Sequence, residues 1–111
     1  FRYGDVRLKD ERQFSVYNFE MADVTALWKL FELHEAEARR LIDCYEDYPD
    51  KQRFPVLPAY DQVLKCSHLF NLLDSRGAIS VTERVAVIAR VRKLAVGVAH
   101  LWIDQNAEVA A

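Results

Sequence analysis

The sequence predicts an all-α fold. Its 111 residues include only three Gly and three Pro, too few for the many tight turns that a β-sandwich or barrel needs. Apolar residues instead recur every three or four positions, the spacing that gathers them on one face of a helix. We therefore expect one helical domain over residues 1–111, a bundle of about four helices at approximately 6–18, 23–47, 58–76 and 81–106.

The first two predicted helices differ in the strength of their patterns. In the first, residues 6–18, the apolar stripe is thin and consists of Val6, Phe14 and Tyr17. The second, residues 23–47, has Asp23 as its N-cap, because a carboxylate there accepts from the free N–H groups of the first turn. Its wide apolar face comprises Val24, Leu27, Trp28, Phe31, Ala38, Leu41, Ile42 and Tyr45.

A proline-rich connector, residues 47–58, follows and holds all three prolines. Proline lacks the amide donor and restricts the residue before it, so we expect an extended loop there. The third helix begins at Pro58 or Ala59. Its seam consists of Val63, Cys66, Phe70 and Leu73, widened by Tyr60, Leu64, Leu69 and Leu72.

The fourth predicted helix, residues 81–106, contains a seam that steps by three and four residues. The seam consists of Val81, Val85, Ile88, Val91, Ala95, Val98 and Trp102. This spacing is close to the 3.5-residue repeat of helices packed at a shallow angle. Beyond Leu94 almost every side is apolar, which indicates a place at the centre of the bundle or beneath a partner.

A tight helix–helix corner is predicted between the third and fourth helices. Gly77 can adopt the left-handed conformation that ends a helix, with Arg76 favourably placed at the negative helix end. Ser80, followed three residues later by Glu83, matches a capping box, in which each side chain bonds to the backbone amide of the other residue. This chemistry is structural.

Composition excludes several classes of function. A net charge of −2 and a pI near 5.9 provide no overall field towards nucleic acid or an anionic membrane. The cysteines, Cys44 and Cys66, lack CxxC spacing and indicate reduced core thiols of an intracellular, cytoplasmic protein. No apolar run approaches the roughly 20 residues that span a bilayer, and no signal peptide is evident. Because the chain starts at Phe1 and its only Met is Met21, we expect a fragment of a longer protein.

The residues also predict no catalytic, cofactor-binding or metal-binding site. HEAEA begins like the zinc-protease motif HExxH, but Ala38 stands where the second ligand should be. Cys66 and His68 are two apart on a helix and point to different faces. The three glycines are isolated, so phosphate-cradling loops are missing.

One basic segment has two interpretations. Arg84, Arg90, Arg92 and Lys93 stand against Glu83 alone, a local charge of +3 in an acidic chain. They could contact RNA phosphate or an acidic protein surface. They could instead pair within the chain, for example with the acidic face of the second helix, where seven Asp/Glu stand against two Arg between residues 32 and 50.

Several blocks occur in an order that resembles a known family. They are YGDV at Tyr3, YNFEMADV at Tyr17, LPAYDQVLK at Leu57 and HLFNLLDSRGAISVTER at His68, followed by Arg90, Arg92 and Leu94. Together they resemble the C-terminal helical part of the alpha subunit of bacterial heterotetrameric glycyl-tRNA synthetase. The resemblance extends from about Tyr3 to Trp102, and the block at His68 is its most specific part.

The resemblance implies a class II ligase that joins glycine to tRNA(Gly) using ATP with Mg²⁺. It implies as partners the catalytic core of the same subunit, a second alpha subunit, the beta subunit and tRNA(Gly), with no membrane. The class II signature motifs of the family precede YGDV and are absent here. We therefore assign no catalytic or cofactor-binding residue to this chain and expect it alone to be inactive.

Two functions remain open from the sequence. The chain could be an accessory domain that packs on the catalytic core and supports subunit assembly through the apolar residues 94–103. It could instead be an independent helical module that contacts RNA through residues 84–93.

Overall fold

The computed structural model describes the backbone of residues 3–110 and the side chains of residues 8–107. This part of the chain is all-helical, with four α-helices and no strand, as the sequence predicts. The helices are α1 (Tyr3–Val16), α2 (Val24–Cys44), α3 (Val56–Ser75) and α4 (Val81–Ala110); α1 continues into a π-helical turn (Tyr17–Met21), and a 3-10 turn (Lys51–Arg53) precedes α3. None of these helices is both long and apolar enough to cross a membrane.

Helices α2, α3 and α4 pack together, whereas α1 does not join them. Every described side chain of α1 is exposed, including Phe14 at 69%. Its only contacts with another element are with the π-helical turn that continues it. The side chain of Val6 lies outside the described residues. The chain reaches the core at Ala22, which is buried against α2 and α3.

Helix α2 has the apolar face that its spacing predicts. Asp23 caps it, its carboxylate accepting from the Ala26 amide at 3.1 Å. The helix ends at Cys44, three residues before the predicted end, and the Lys51 ammonium donates to carbonyls that follow it. Lys51 Nζ lies 2.5 Å from the Tyr45 carbonyl oxygen and 2.9 Å from that of Tyr48. Cys44 is exposed, so the prediction that both thiols lie in the core was wrong for this one.

Helix α3 begins at Val56, two residues before the predicted start. Pro58 therefore lies in the first turn, where a missing N–H leaves no hydrogen bond unmade. The predicted seam is buried except for Phe70, which is half-buried. Tyr60 and Leu64 were wrongly expected to widen it, since about half of each side chain is exposed.

The buried stripe of α4 differs from the predicted seam. It consists of Val87, Leu94, Val98 and Leu101. Only Val98 belongs to both stripes and is buried, with Val91 half-buried between them. Both stripes are apolar, and with the half-buried Val91 included the buried one also steps by three and four residues, so spacing alone could not choose between them.

The far end of α4 holds the connector in place. The Gln105 side-chain amide donates to the carbonyls of Lys51 at 2.7 Å and Phe54 at 3.1 Å. The Tyr45 hydroxyl donates to the Asp104 carboxylate at 2.5 Å. These contacts require a helix that runs past Trp102, and α4 continues to Ala110, beyond the predicted end near Asn106.

Candidate functional site

The corner between α3 and α4 has the geometry that its residues predict. Gly77 has a φ of +66°, the left-handed region that favours glycine. Its amide donates to the Asp74 carbonyl at 3.0 Å, and the Ala78 amide donates to the Leu73 carbonyl at 3.0 Å. These are the two hydrogen bonds of a Schellman motif, which closes the C-terminal end of α3.

Ser80 begins α4. Its hydroxyl accepts from the Glu83 amide at 3.1 Å, and its carbonyl accepts from the Arg84 amide at 2.8 Å. Within the described residues, the return bond from the Glu83 carboxylate to the Ser80 amide is not formed. The corner is therefore held by a glycine stop and half of a capping box.

The Arg76 side chain reaches further than the end of α3. Its guanidinium donates to the carbonyls of Phe19 and Ala22, each at 3.0 Å. It thereby satisfies carbonyls at the end of the π-helical turn, where the helical hydrogen bonds stop. The corner and the exit of α1 are thus joined through one cation.

Two of the four basic side chains are paired inside the chain. Arg84 bonds to the Asp74 carboxylate across the corner at 2.5 Å. Arg90 makes a two-pronged bond to Glu35 of α2, with Nε to Oε2 at 2.8 Å and Nη2 to Oε1 at 2.6 Å. Glu35 belongs to the acidic face of the second helix, so the pairing interpretation describes Arg90 well.

The Arg90–Glu35 pair is partly withdrawn from water. The Glu35 side chain is 13% exposed, and the guanidinium lies 5.0 Å from the centre of the Phe31 ring. The hydrogen bonds from Arg90 lower the pKa of Glu35, against the opposing effect of burial. This pair fixes α4 against α2.

Arg92 and Lys93 are exposed, and neither has a charged partner among the described side chains. They are consecutive in a helix and so point about 100° apart. Lys93 is turned towards the side of Arg90, whereas Arg92 shares a side with Ile88 and Ala95. The basic segment is therefore divided among several directions and does not form one patch.

Nucleophile and metal chemistry finds no support in the described residues. Burial raises the pKa of the Cys66 thiol to about 11, so this cysteine remains protonated and unreactive near neutral pH. His34 Nδ1 is engaged by the Gln62 side chain at 2.6 Å. The described residues bring together no three His, Cys, Asp or Glu side chains that could hold a metal ion.

An apolar surface on α4, which includes five of the seven residues of the predicted seam, is exposed. We call it the outer face of α4, and its apolar members are Val81, Val85, Ile88, Ala95, Val96, Ala99, Trp102 and Ile103. Val81 is 77% exposed and Trp102 is 48% exposed. Beside it stand Leu57 and Tyr60 of α3, each about half exposed or more.

A groove follows the line where α3 and α4 meet at this surface. One hollow of about 290 Å³ is almost wholly apolar and is lined by Leu57, Tyr60, Ala95 and Trp102, among others. A second hollow of about 440 Å³ shares Ala95 and includes Arg92, Ser67 and Asn71. The alternating spacing of α4 pointed to an apolar stripe here, but the contribution of α3 had no signal in the sequence.

Comparison with known families adds the identity of the chain. The family described as glycyl-tRNA synthetase alpha subunit matches residues 1–107. The chain belongs to this family. Its members are subunits of an aminoacyl-tRNA ligase, in agreement with the resemblance seen in the sequence.

The family match extends over the corner and the groove. The block at His68 that carries the synthetase resemblance most specifically spans the end of α3, the corner and the start of α4. Leu57, at the start of the LPAYDQVLK block, lines the apolar hollow. In this member of the synthetase family, the described residues of those blocks support the corner and one wall of the groove.

Proposed function

We propose that the chain is the C-terminal helical accessory domain of a glycyl-tRNA synthetase alpha subunit. It packs on the catalytic core and supports assembly with a second alpha subunit and the beta subunit in a cytoplasmic heterotetramer. The assembled enzyme joins glycine to tRNA(Gly) with ATP and Mg²⁺, and this chain contributes no catalytic residue. The observation that carries the proposal is the exposed apolar surface of α3 and α4.

That surface exposes many large apolar side chains. The outer face of α4, with Leu57 and Tyr60 of α3, brings together eight large apolar residues that are between 39% and 77% exposed. Contiguous apolar patches beyond a few hundred Å² are uncommon on monomeric proteins and commonly mark interfaces. An assembly role gives this surface a partner.

Helix α1 supports the same conclusion. Its described side chains, residues 8–16, are all exposed, and within the described chain α1 contacts no other α-helix. Helices of this length are marginal in water because nucleation is costly and tertiary packing supplies most of their stability. Contact with the catalytic core would supply the packing that α1 lacks here.

Direct RNA binding through residues 84–93 has less support. The guanidinium groups of Arg84 and Arg90 are already paired with the carboxylates of Asp74 and Glu35. Arg92 and Lys93 are exposed but point in different directions. Phosphate binding by this segment would therefore require breaking an ion pair or using single, separated cations.

Co-expression tests the assembly role. The chain is produced with the alpha catalytic core and with the beta subunit, and complexes are measured by size-exclusion chromatography with light scattering. We expect a stable complex with at least one of these components. A chain that stays monomeric beside both components would refute the proposal.

Titration with tRNA(Gly) separates the two functions. We expect no binding by the isolated chain at physiological salt. The RNA alternative instead requires an affinity that falls linearly with the logarithm of salt concentration and decreases in both Arg92→Glu and Lys93→Glu. Glycine-dependent exchange of pyrophosphate into ATP, measured on the chain alone, should be absent.

A further inference from the structure

We infer that the end of α2 is a recognition site for a primary ammonium group, and that the Lys51 side chain is its tethered occupant. The inference concerns the connector and is independent of the proposed assembly role. It predicts that a free primary alkylammonium ion binds to the chain when the Lys51 side chain is shortened. It also predicts that the site rejects cations of equal charge that cannot donate hydrogen bonds.

The site has as many acceptors as an ammonium group has donors. Lys51 Nζ donates to the backbone carbonyls of Tyr45 at 2.5 Å, Glu46 at 2.7 Å and Tyr48 at 2.9 Å. An –NH₃⁺ group has three N–H donors and no acceptor, so these carbonyls use its whole hydrogen-bonding capacity. K⁺ is instead bound by rings of carbonyl oxygens that replace its hydration shell, and three carbonyls do not complete such a ring. The arrangement therefore suits a primary ammonium better than a metal ion.

The position of the site favours a positive charge. The three carbonyls follow Cys44, the last residue of α2, and lie at the negative end of the helix dipole. Lys51 Nζ is also 4.9 Å from the centre of the Tyr45 ring, within the range of a cation–π interaction. Among the described side chains, no carboxylate is ion-paired with Lys51. In this part of the chain, carbonyl dipoles and one aromatic ring stabilise the charge.

Other contacts hold the walls of the site. Tyr45 is 1% exposed, and its ring packs on that of Phe54 with 5.1 Å between the ring centres. The Tyr45 hydroxyl donates to the Asp104 carboxylate at 2.5 Å. The Gln105 side-chain amide donates to the Phe54 carbonyl at 3.1 Å and ties the connector to α4. None of these contacts uses the Lys51 side chain, so the site should persist when that side chain is shortened, and a pre-formed site costs less ordering when it binds.

Occupancy of the site should control the order of the connector. The 3-10 turn Lys51–Arg53 is followed by the Phe54 amide, which donates to the Lys51 carbonyl at 3.2 Å. Without an ammonium in the site, this turn loses its bonds to the end of α2 and keeps the bond from Gln105 of α4. Hydrogen exchange of the connector amides therefore reports whether the site is filled.

Chemical complementation of a shortened side chain tests the recognition. Lys51→Ala, made in the whole 111-residue chain, removes the outer stem and the ammonium, and the n-propylammonium ion supplies the same atoms. We expect the melting temperature to fall by roughly 8 °C, because charge-assisted hydrogen bonds are lost. Roughly 100 mM n-propylammonium chloride should restore at least about half of that loss. Exchange of the Arg53 and Phe54 amides should accelerate about tenfold or more in the variant and slow again when the ion is added.

Matched salts and variants separate recognition of the ammonium from general effects. At equal ionic strength, neither propyltrimethylammonium, which has the same charge without N–H donors, nor K⁺ should stabilise Lys51→Ala more than the parent chain. Lys51→Met keeps an apolar stem in the place that the ion would occupy, so it should lose stability and gain nothing from n-propylammonium. Lys65→Ala removes an exposed lysine that is paired with Asp61, and should shift the melting temperature by less than about 3 °C.

Each outcome supports or overturns the inference. Restoration of the melting temperature and of slow amide exchange by n-propylammonium, in Lys51→Ala alone, supports it. Equal restoration by K⁺ or propyltrimethylammonium would show that the site responds to charge alone and would overturn it. An equal gain in Lys51→Met would place the binding elsewhere, with the same consequence. A Lys51→Ala chain that melts with the parent, or that n-propylammonium fails to stabilise or refold, would also overturn it.

Discussion

Helix α4 has two apolar stripes, of which one is buried and the other is exposed. The inner stripe, Val87, Leu94, Val98 and Leu101, is buried against α2 and α3. The outer face, described above, uses the same kinds of side chain at the same spacing and remains exposed. What separates them is the neighbouring surface, so apolar spacing alone does not decide which face of a helix enters a core.

Two residues that are not large apolar groups mark the inner side. Gly97 lies so close to α2 that an added Cβ would stand 2.9 Å from Ile42 Cδ1. Arg90 reaches Glu35 on the same helix. A close approach and an ion pair therefore distinguish the inner side of α4 from its outer face.

The comparison is tested most strongly by truncating one residue from each stripe. Leu94→Ala removes a side chain that is 2% exposed and should lower the free energy of unfolding by about 3 kcal/mol. Val85→Ala on the outer face should change it by less than about 0.5 kcal/mol in the isolated chain. Urea unfolding followed by circular dichroism measures both, and comparable losses would show that the faces are not distinct.

Removing the cation that orients α4 should have the next largest effect. Arg90→Met leaves Glu35 largely covered with only the exposed Arg39, 3.9 Å away, as a cationic partner, which should cost about 2 kcal/mol at pH 7. Lys93→Met, in the neighbouring exposed position, is the control and should cost little. The measurement is urea unfolding of the three proteins at neutral pH.

The same pair predicts a pH dependence of defined sign. Arg90 holds the folded-state pKa of Glu35 below its ordinary value of 4.5, so the pair stabilises the fold above that value. This contribution disappears as the pH falls through the lowered pKa. The difference between the parent chain and Arg90→Met should therefore shrink below about pH 4, and a constant difference would contradict the assignment.

Each position of the corner before α4 should contribute less to the free energy of unfolding than Leu94 or Arg90 does. Gly77→Ala forces a Cβ into the left-handed region and should cost about 1 kcal/mol. Ser80→Ala removes the acceptor for the Glu83 amide and should also cost about 1 kcal/mol. Thr82→Ala, exposed in the first turn of α4, is the control. A melting temperature of Thr82→Ala lower than that of either corner variant would argue against these roles.

The smallest change in the free energy of unfolding is expected for Gly97→Ala, at the close approach of α4 to α2. In Gly97→Ala, a gain of about 1 kcal/mol in helix propensity opposes the crowding of Ile42. Because the crowded atom is the terminal methyl of a flexible side chain, the net change should stay within about 0.5 kcal/mol. Gly97→Val should lose about 2 kcal/mol, since a branched side chain cannot be accommodated by that movement.

Polar and conformationally special residues made much of the fold predictable from the sequence. Asp23, Gly77 and Ser80 define helix ends through local hydrogen bonds that depend on few neighbours, and each lies where its pattern placed it. The apolar face of α2 was also predicted, because only one of its sides is apolar. Most of the secondary structure could therefore be predicted from local hydrogen bonding and local apolar spacing.

The features that the sequence could not provide depend on tertiary neighbours. Two overlapping stripes on α4 left its rotation undetermined, and the wrong one was chosen. Glu35 was one of seven carboxylates that Arg90 could have met, and its selection needs the packed α2–α4 pair. The groove likewise exists only once Leu57 and Tyr60 of α3 stand beside α4.

The bonds from Arg76 to the carbonyls of Phe19 and Ala22 have a mechanical consequence. They clamp the base of α1, whose 14 residues form a lever roughly 21 Å long. A tilt of α1 by about 10° at that point would move the N-terminal end of the helix by roughly 4 Å. A change at Arg76 would remove these two hydrogen bonds and with them one restraint on the direction in which α1 leaves the core.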